Sequence, residues 1–229
     1  MDWPAPRNAA CVSGKDLARI VPPVGATVMI LIGQFDSPFA RRVGIALRLY
    51  GIPFEHRPWS TFGDVDRLAA YNPLRRVPTL VLDDGEVLIE SGAILDYLDE
   101  RVGSARAMFP SAGAERRRAL RIAALGSGLA DKAVSLVYER VLHQQASDLW
   151  VARCRSQIEG VLDALEQGDC FGPTIGHADI MVACALRFLT EAHPGLFDPV
   201  RWPILAGHAA RCEAREAFQA IAQTFDPPS

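Results

Sequence analysis

Val77-Pro78 and Glu90-Ser91 are residues whose types and spacing suggest chemistry. They belong to one stretch, Arg76 to Glu100, that packs a strand, a tight turn, a second strand and a helix start into twenty-five residues. Ser91 is suited to N-cap a helix over Gly92 to Arg101. A helix start beside a sheet edge offers free backbone N–H groups and the positive end of a dipole, which suits a carboxylate. Pro78 falls at the mouth of the first strand, one of the few places where a sheet tolerates a residue without an N–H donor. The geometry favours an extended, anionic, peptide-like ligand laid against Val77-Pro78 and pinned at Ser91. A stable hairpin followed by a capped helix, with no ligand at all, uses the same residues equally well.

The elements that must position these residues follow from periodicity. Thr79 to Leu82 and Val87 to Ile89 are β-prone runs, and Asp83-Asp84-Gly85-Glu86 between them supplies the Asp-Gly pair of a tight hairpin. Upstream, Met29 to Phe35 reads as a buried strand. Ser37 to Tyr50 reads as a helix with Phe39, Val43, Ala46, Leu47 and Tyr50 on one side, ended by Gly51. Phe54 to Pro58 is a second strand, and Asp64 to Tyr71 a short helix closed by Asn72-Pro73. Gly103 to Gly113 is a linker containing Pro110, and from Ala114 the pattern is helical, with helices at roughly 114–142, 147–167, 178–191 and 203–223. The predicted fold class is α/β plus all-α. A thioredoxin-like domain over residues 29–103 precedes a helical bundle domain over residues 112–229. Residues 1–28 carry four prolines and no sustained periodicity, and Met29 stands immediately before an apolar strand. They are expected to be an over-called start or a disordered extension.

Composition excludes several classes. The chain has 229 residues, 49% of them apolar, and a net charge of −3 that argues against nucleic acid as a partner. The five cysteines, Cys11, Cys154, Cys170, Cys184 and Cys212, form no CxxC pair and suit free thiols in a reducing compartment. The histidines show no HxxxH or HExxH spacing, so no metal is expected. No apolar run approaches the about 20 residues of a membrane helix.

Val77-Pro78 before a hairpin, with Glu90-Ser91 opening the next helix, resembles the glutathione-binding signature of the cytosolic glutathione transferases. The α/β-then-helical order extends that resemblance over nearly all of Met29 to the C-terminus. It implies a cis proline at Pro78, pairing of the Val77 backbone with the cysteinyl part of glutathione, and binding of the γ-glutamyl end by Glu90 and Ser91. Ser37 lies where the first strand turns into a helix, followed by Pro38 and Phe39. Serine at an N-cap with proline next is a favourable helix start in its own right. The same hydroxyl, helped by the helix dipole, can donate a hydrogen bond to a thiolate. Omega-type members carry Cys-Pro-Phe here, whereas this chain reads Ser37-Pro38-Phe39, and a hydroxyl forms no disulfide. The resemblance therefore points to a bacterial, serine-type transferase with Ser37 as its catalytic residue.

Phe39 is placed near the glutathione backbone or in plain core. Arg76 is placed at a glutathione carboxylate or on the loop surface. Arg41 and Arg42 are read as a solvated face, with a carboxylate contact as the lesser alternative. Gly126-Ser127-Gly128-Leu129 interrupts a helix with two glycines at about 1 kcal/mol each, which suggests close packing against the other domain or across a dimer interface. Asp179, three residues after Gly176, is read as half of a helix-capping box whose hydroxyl partner is missing. The implied function is conjugation of the glutathione thiolate to a small hydrophobic electrophile by a cytoplasmic detoxifying homodimer. Glutathione is the co-substrate, and neither metal nor membrane is involved. The alternatives are a glutathione-dependent isomerase or dehalogenase on the same fold, and a non-catalytic glutathione-binding or stress-response module.

Overall fold

The computed structural model of the protein describes residues 28–227. Cys11 and, apart from Val28, the expected extension over residues 1–28 lie outside the described residues, as do Pro228 and Ser229. The N-terminal part contains β1 (Met29–Ile32), α1 (Pro38–Tyr50), β2 (Phe54–Arg57), α2 (Val65–Ala69), β3 (Thr79–Val81), β4 (Val87–Ile89) and α3 (Ser91–Val102). The strands form one sheet in the order β2-β1-β3-β4, with β1 parallel to β2 and antiparallel to β3, and β3 antiparallel to β4. This is a thioredoxin-like sheet. The C-terminal part is all helical: α4 (Gly113–Leu142), α5 (Asp148–Gln167), α6 (His177–Ala192), α7 (Pro203–Glu213) and α8 (Glu216–Gln219).

Strand alternation divides the first core. Met29 and Leu31 face a cluster with Val43, Leu47, Ile94 and Leu98 from α1 and α3, while Ile30 and Ile32 join Leu68 and Val81 on the opposite face. The first cluster continues into Ile180, Ala183 and Cys184 of α6 and Phe218 of α8, so one apolar mass spans both halves. A second cluster, built on Leu129, Ile158, Leu162, Met181 and Leu186, fills the helical part.

Local chemistry sets the elements that matter for function. Ser37 N-caps α1 as expected, its Oγ accepting from Ala40 N at 3.4 Å, and Gly51 closes the helix at φ 67°. Gly85 supplies the positive φ (92°) of the hairpin turn. The loop before β3 is held by buried Asn72, whose Nδ2 donates to the Arg76 carbonyl (2.9 Å) and to Thr79 Oγ1 (3.1 Å). The Val77-Pro78 peptide is cis, as the family resemblance implied.

Three expectations are corrected. Arg41 and Arg42 are not solvated: they are only 2% and 6% exposed. The face of α1 turned from the sheet is covered by the helical half, which supplies partners far away in sequence. Arg41 clasps the Glu213 carboxylate with both terminal nitrogens (2.6 and 2.8 Å) and donates to the carbonyls of Ile221 and Phe218. The expected helix over 203–223 is two helices broken at Arg215, whose backbone is extended (φ −83°, ψ 141°). The Arg41 contacts draw the chain after the break back over α1. Ser91 is not an N-cap but the first residue of α3; Glu90 holds the cap position at φ 65°, and Ser91 Oγ is engaged by Arg42 instead.

Gly176 has a packing reason. A Cβ there would sit 2.9 Å from the Met108 carbonyl, so a serine or threonine at the α6 start would require that backbone to shift. One arm of the capping box remains, Gly176 N donating to Asp179 Oδ2 at 2.9 Å. Gly126 likewise sits against α6, where a Cβ would meet Met181 Cγ at 3.0 Å and Val182 N at 3.2 Å.

Candidate functional site

The loop after β1, the loop before β3 and the start of α3 converge where α4 crosses the N-terminal half. Phe39, Arg76, Val77, Pro78, Glu90 and Ser91 line one pocket of about 340 Å³. Six of the seven residues singled out in the sequence are thus neighbours. The seventh, Ser37, lines an adjoining cleft of about 810 Å³. Phe39, Arg76, Val77 and Asp131 belong to both cavities, so the cleft and the smaller pocket share a wall.

The smaller pocket is polar at one end. Ser91 is buried and accepts from Arg42 Nη2 at 2.7 Å. Arg76 and Glu90 pair at 3.5 Å, both more than half exposed, an ion pair that contributes little by itself and leaves both groups open to a ligand. Glu90 adopts a positive φ outside glycine, a conformation of order 1–3 kcal/mol that clusters at ligand-binding corners. This arrangement can take an anionic, amide-containing ligand at the α3 start.

The larger cleft is aromatic. Phe62 from the β2–α2 loop and Tyr138 from α4 meet edge to face at 5.5 Å between centroids, one ring from each half of the chain. Trp59, Phe188 and Phe225 also line it, with Phe188 and Phe225 edge to face at 5.3 Å. Asp36 borders the cleft, where burial pushes its carboxyl up, and its Oδ2 accepts from Asp226 N of the C-terminal segment at 3.4 Å. Ser37 is half-buried at the N-cap of α1; with its oxygen accepting from Ala40, its O–H is available to a group in the cleft.

Among the described residues no cysteine lines the cleft or the smaller pocket. The described cysteines are free, and burial pushes all four thiols up, Cys184 to about 11 and Cys212 to about 12, so they remain protonated. Among the described residues no group of three or more His, Cys, Asp or Glu is arranged to hold a metal, and no helix is long and apolar enough to cross a membrane.

Sequence reasoning missed Ser127, Gly128 and Asp131 of α4, which complete the smaller pocket. A signal was present, since a serine between two glycines in mid-helix marks a special surface. What that surface faces depends on how α4 docks, which no local pattern encodes.

Two family models match the chain: the glutathione S-transferase N-terminal domain over residues 31–106 and the C-terminal domain over residues 148–211. An uncharacterized GST-like protein, YibF, of Escherichia coli is 35% identical over 70% of this chain and 82% of that protein. Maleylacetoacetate isomerase of Pseudomonas aeruginosa is 31% identical over 83% of this chain and 94% of that protein. Among solved structures, a glutathione S-transferase of Methylobacterium radiotolerans in complex with glutathione sulfonate superposes with a TM-score of 0.80 at 31% identity, covering 89% of this chain and 100% of that one. A glutathione transferase family member from Pseudomonas fluorescens with bound glutathione gives 0.77 at 31% identity, covering 88% of this chain and 100% of that one.

Proposed function

We infer that this chain, which belongs to the cytosolic glutathione S-transferase superfamily, is a serine-type conjugating transferase. Glutathione lies in the 340 Å³ pocket with its γ-glutamyl end at Glu90-Ser91, its cysteinyl backbone against Val77-Pro78 and its glycyl carboxylate within reach of Arg76. Phe39 forms the wall that its backbone passes. The thiol then points over the shared wall to Ser37, whose hydroxyl and helix dipole stabilise the thiolate. A small hydrophobic electrophile occupies the aromatic cleft, and holding the two reactants side by side supplies much of the acceleration.

The observation that carries this reading is the juxtaposition of two cavities across one wall, with Ser37 on the far side from Glu90 and Ser91. Conjugation of a chloronitrobenzene with glutathione tests it; absence of turnover together with absence of glutathione binding would leave only a fold. On this reading residues 29–103 hold glutathione and residues 112–229 supply most of the electrophile cleft, in a cytoplasmic bacterial protein.

Glu90→Ala is expected to weaken glutathione binding about tenfold, the scale of a charge-assisted hydrogen bond. Titration calorimetry reads this directly, and an unchanged Kd would remove Glu90 from the site. The protein is expected to pair with a second copy around α4; sedimentation showing only monomer counts against that assembly.

Glutathione-dependent isomerisation is the second reading. It is favoured by the Pseudomonas aeruginosa maleylacetoacetate isomerase relative and opposed by the absence of a Ser-Ser-Cys run at Asp36-Ser37-Pro38. Turnover of maleylacetoacetate in preference to the chloronitrobenzene would select it.

A further inference from the structure

We propose that Arg42 is the buried counter-charge of the γ-glutamyl carboxylate, acting through the hydroxyls of Ser91 on α3 and Ser127 on α4. The two halves of the chain thus read that carboxylate jointly. The inference rests on the assignment of the smaller pocket to glutathione.

Arg42 differs from its neighbour. Arg41 is neutralised by Glu213, whereas no carboxylate lies within 4.0 Å of Arg42 among the described residues. It is 6% exposed, and its Nε has no hydrogen-bond partner among the described residues. Burial pushes its guanidinium down to about 10, with the field of the Glu90 carboxylate partly offsetting the shift, so it stays charged at neutral pH with no ion-paired partner. A buried cation of this kind is costly unless something anionic approaches it.

Its partners say where that anion comes. Arg42 Nη2 donates to Ser91 Oγ (2.7 Å), and Nη1 donates to Ser127 Oγ (3.3 Å) and Met181 Sδ (2.9 Å). Ser91 and Ser127 both line the smaller pocket. A serine oxygen that accepts from a guanidinium keeps its own proton to donate. Ser135 and Thr190 spend theirs on carbonyls of their own helices, at Asp131 and Leu186. Neither Ser91 nor Ser127 has such an acceptor among the described residues, so both protons are available to the pocket.

The glycines around Ser127 fit this arrangement. Gly126 lets α4 close on Met181 and Val182 of α6, while a Cβ on Gly128 would meet nothing within 4 Å, leaving open space on the pocket side. Arg42 is therefore a positioning residue and Ser127 a ligand contact from the helical half.

The test compares glutathione with γ-aminobutyryl-cysteinylglycine, which lacks only the γ-glutamyl carboxylate. Wild type is expected to prefer glutathione. Arg42→Met is expected to weaken glutathione binding by about 10- to 100-fold and leave the analogue within about twofold, collapsing the preference. Ser127→Ala is expected to lose about 3- to 10-fold for glutathione alone. A merely structural Arg42 would weaken both ligands equally, and that result would overturn the proposal. If Arg42→Met does not fold, Ser127→Ala decides, and an intact preference in it refutes the joint reading. Wild type that binds neither ligand overturns the glutathione site itself, a distinct failure.

Discussion

Replacing Ser37 with alanine is expected to lower kcat/KM for glutathione conjugation by about a hundredfold, comparable to removing one donor from an anion-stabilising site. A thiol in water has a pKa near 8.5, and bringing it two units lower requires roughly 2.7 kcal/mol of preferential thiolate stabilisation. The structure offers two sources at one position, a free O–H and the N-terminus of the thirteen-residue α1. Alanine removes the first and keeps the second. The alkaline shift follows from that sign. Activity rises as pH passes the bound thiol's pKa, so losing thiolate stabilisation moves the rising limb to higher pH. Ser37→Ala also loses an N-cap worth about 1 kcal/mol, which stability loss alone must not be allowed to explain. Ser37→Asp separates the two effects: a carboxylate caps the helix as well as serine does but places negative charge beside the thiolate. It is expected to melt close to wild type and to be nearly inactive. Wild-type rates and pH dependence in Ser37→Ala, measured by steady-state kinetics, would reduce Ser37 to a cap.

The parts of this fold that were legible in the sequence are those decided within a few residues. The Asp84-Gly85 turn, the Ser37-Pro38 helix start and the Gly51 stop each rest on a local conformational preference, and each forms as expected. The Val77-Pro78 corner was legible through likeness to a family and through its position before a strand. What local patterns could not reach are contacts between distant segments. Arg41 and Arg42 read as solvated because arginine on a helix usually is; their partners lie between 49 and 180 residues away. Ser91 is a favourable N-cap by type, yet Arg42 claims its oxygen and moves the cap position to Glu90. The break at Arg215 carries no glycine or proline to announce it and arises where Arg41 grips the following carbonyls. In each case a side chain reaching a segment distant in sequence overrides the local preference.

Asp99 is the most demanding of these crossings, and Asp99→Ala is expected to destabilise the protein by about 3–5 kcal/mol. Its carboxylate, 9% exposed, accepts from His177 Nε2 (2.8 Å), Met108 N (3.1 Å), Phe109 N (3.0 Å) and the Tyr50 hydroxyl. It therefore ties α3 to the end of α1, to the linker and to the first residue of α6. Truncation leaves those donors buried without an acceptor, so the loss exceeds that of any one bond. For a chain of this size the melting temperature should fall by roughly 10 °C. Burial by itself pushes the Asp99 carboxyl up, but hydrogen bonds from His177 and Tyr50 outweigh it and hold the group at about 2. The folded value lies below the about 3.9 of an unfolded aspartate, so the stabilisation is full above that value and is lost as pH falls towards 2. This one group therefore contributes acid-dependent stability that disappears over that range. Asp99→Asn keeps the shape but cannot titrate, and its stability should change less than that of wild type between pH 5 and pH 2. Equal slopes in urea titrations across that range would show that the carboxylate is not what anchors the linker. Because α3 begins at Ser91 and ends beside Asp99, the same anchor holds the helix whose first turn faces the glutathione pocket. A variant that loosens it should weaken glutathione binding even though Asp99 itself does not line that pocket.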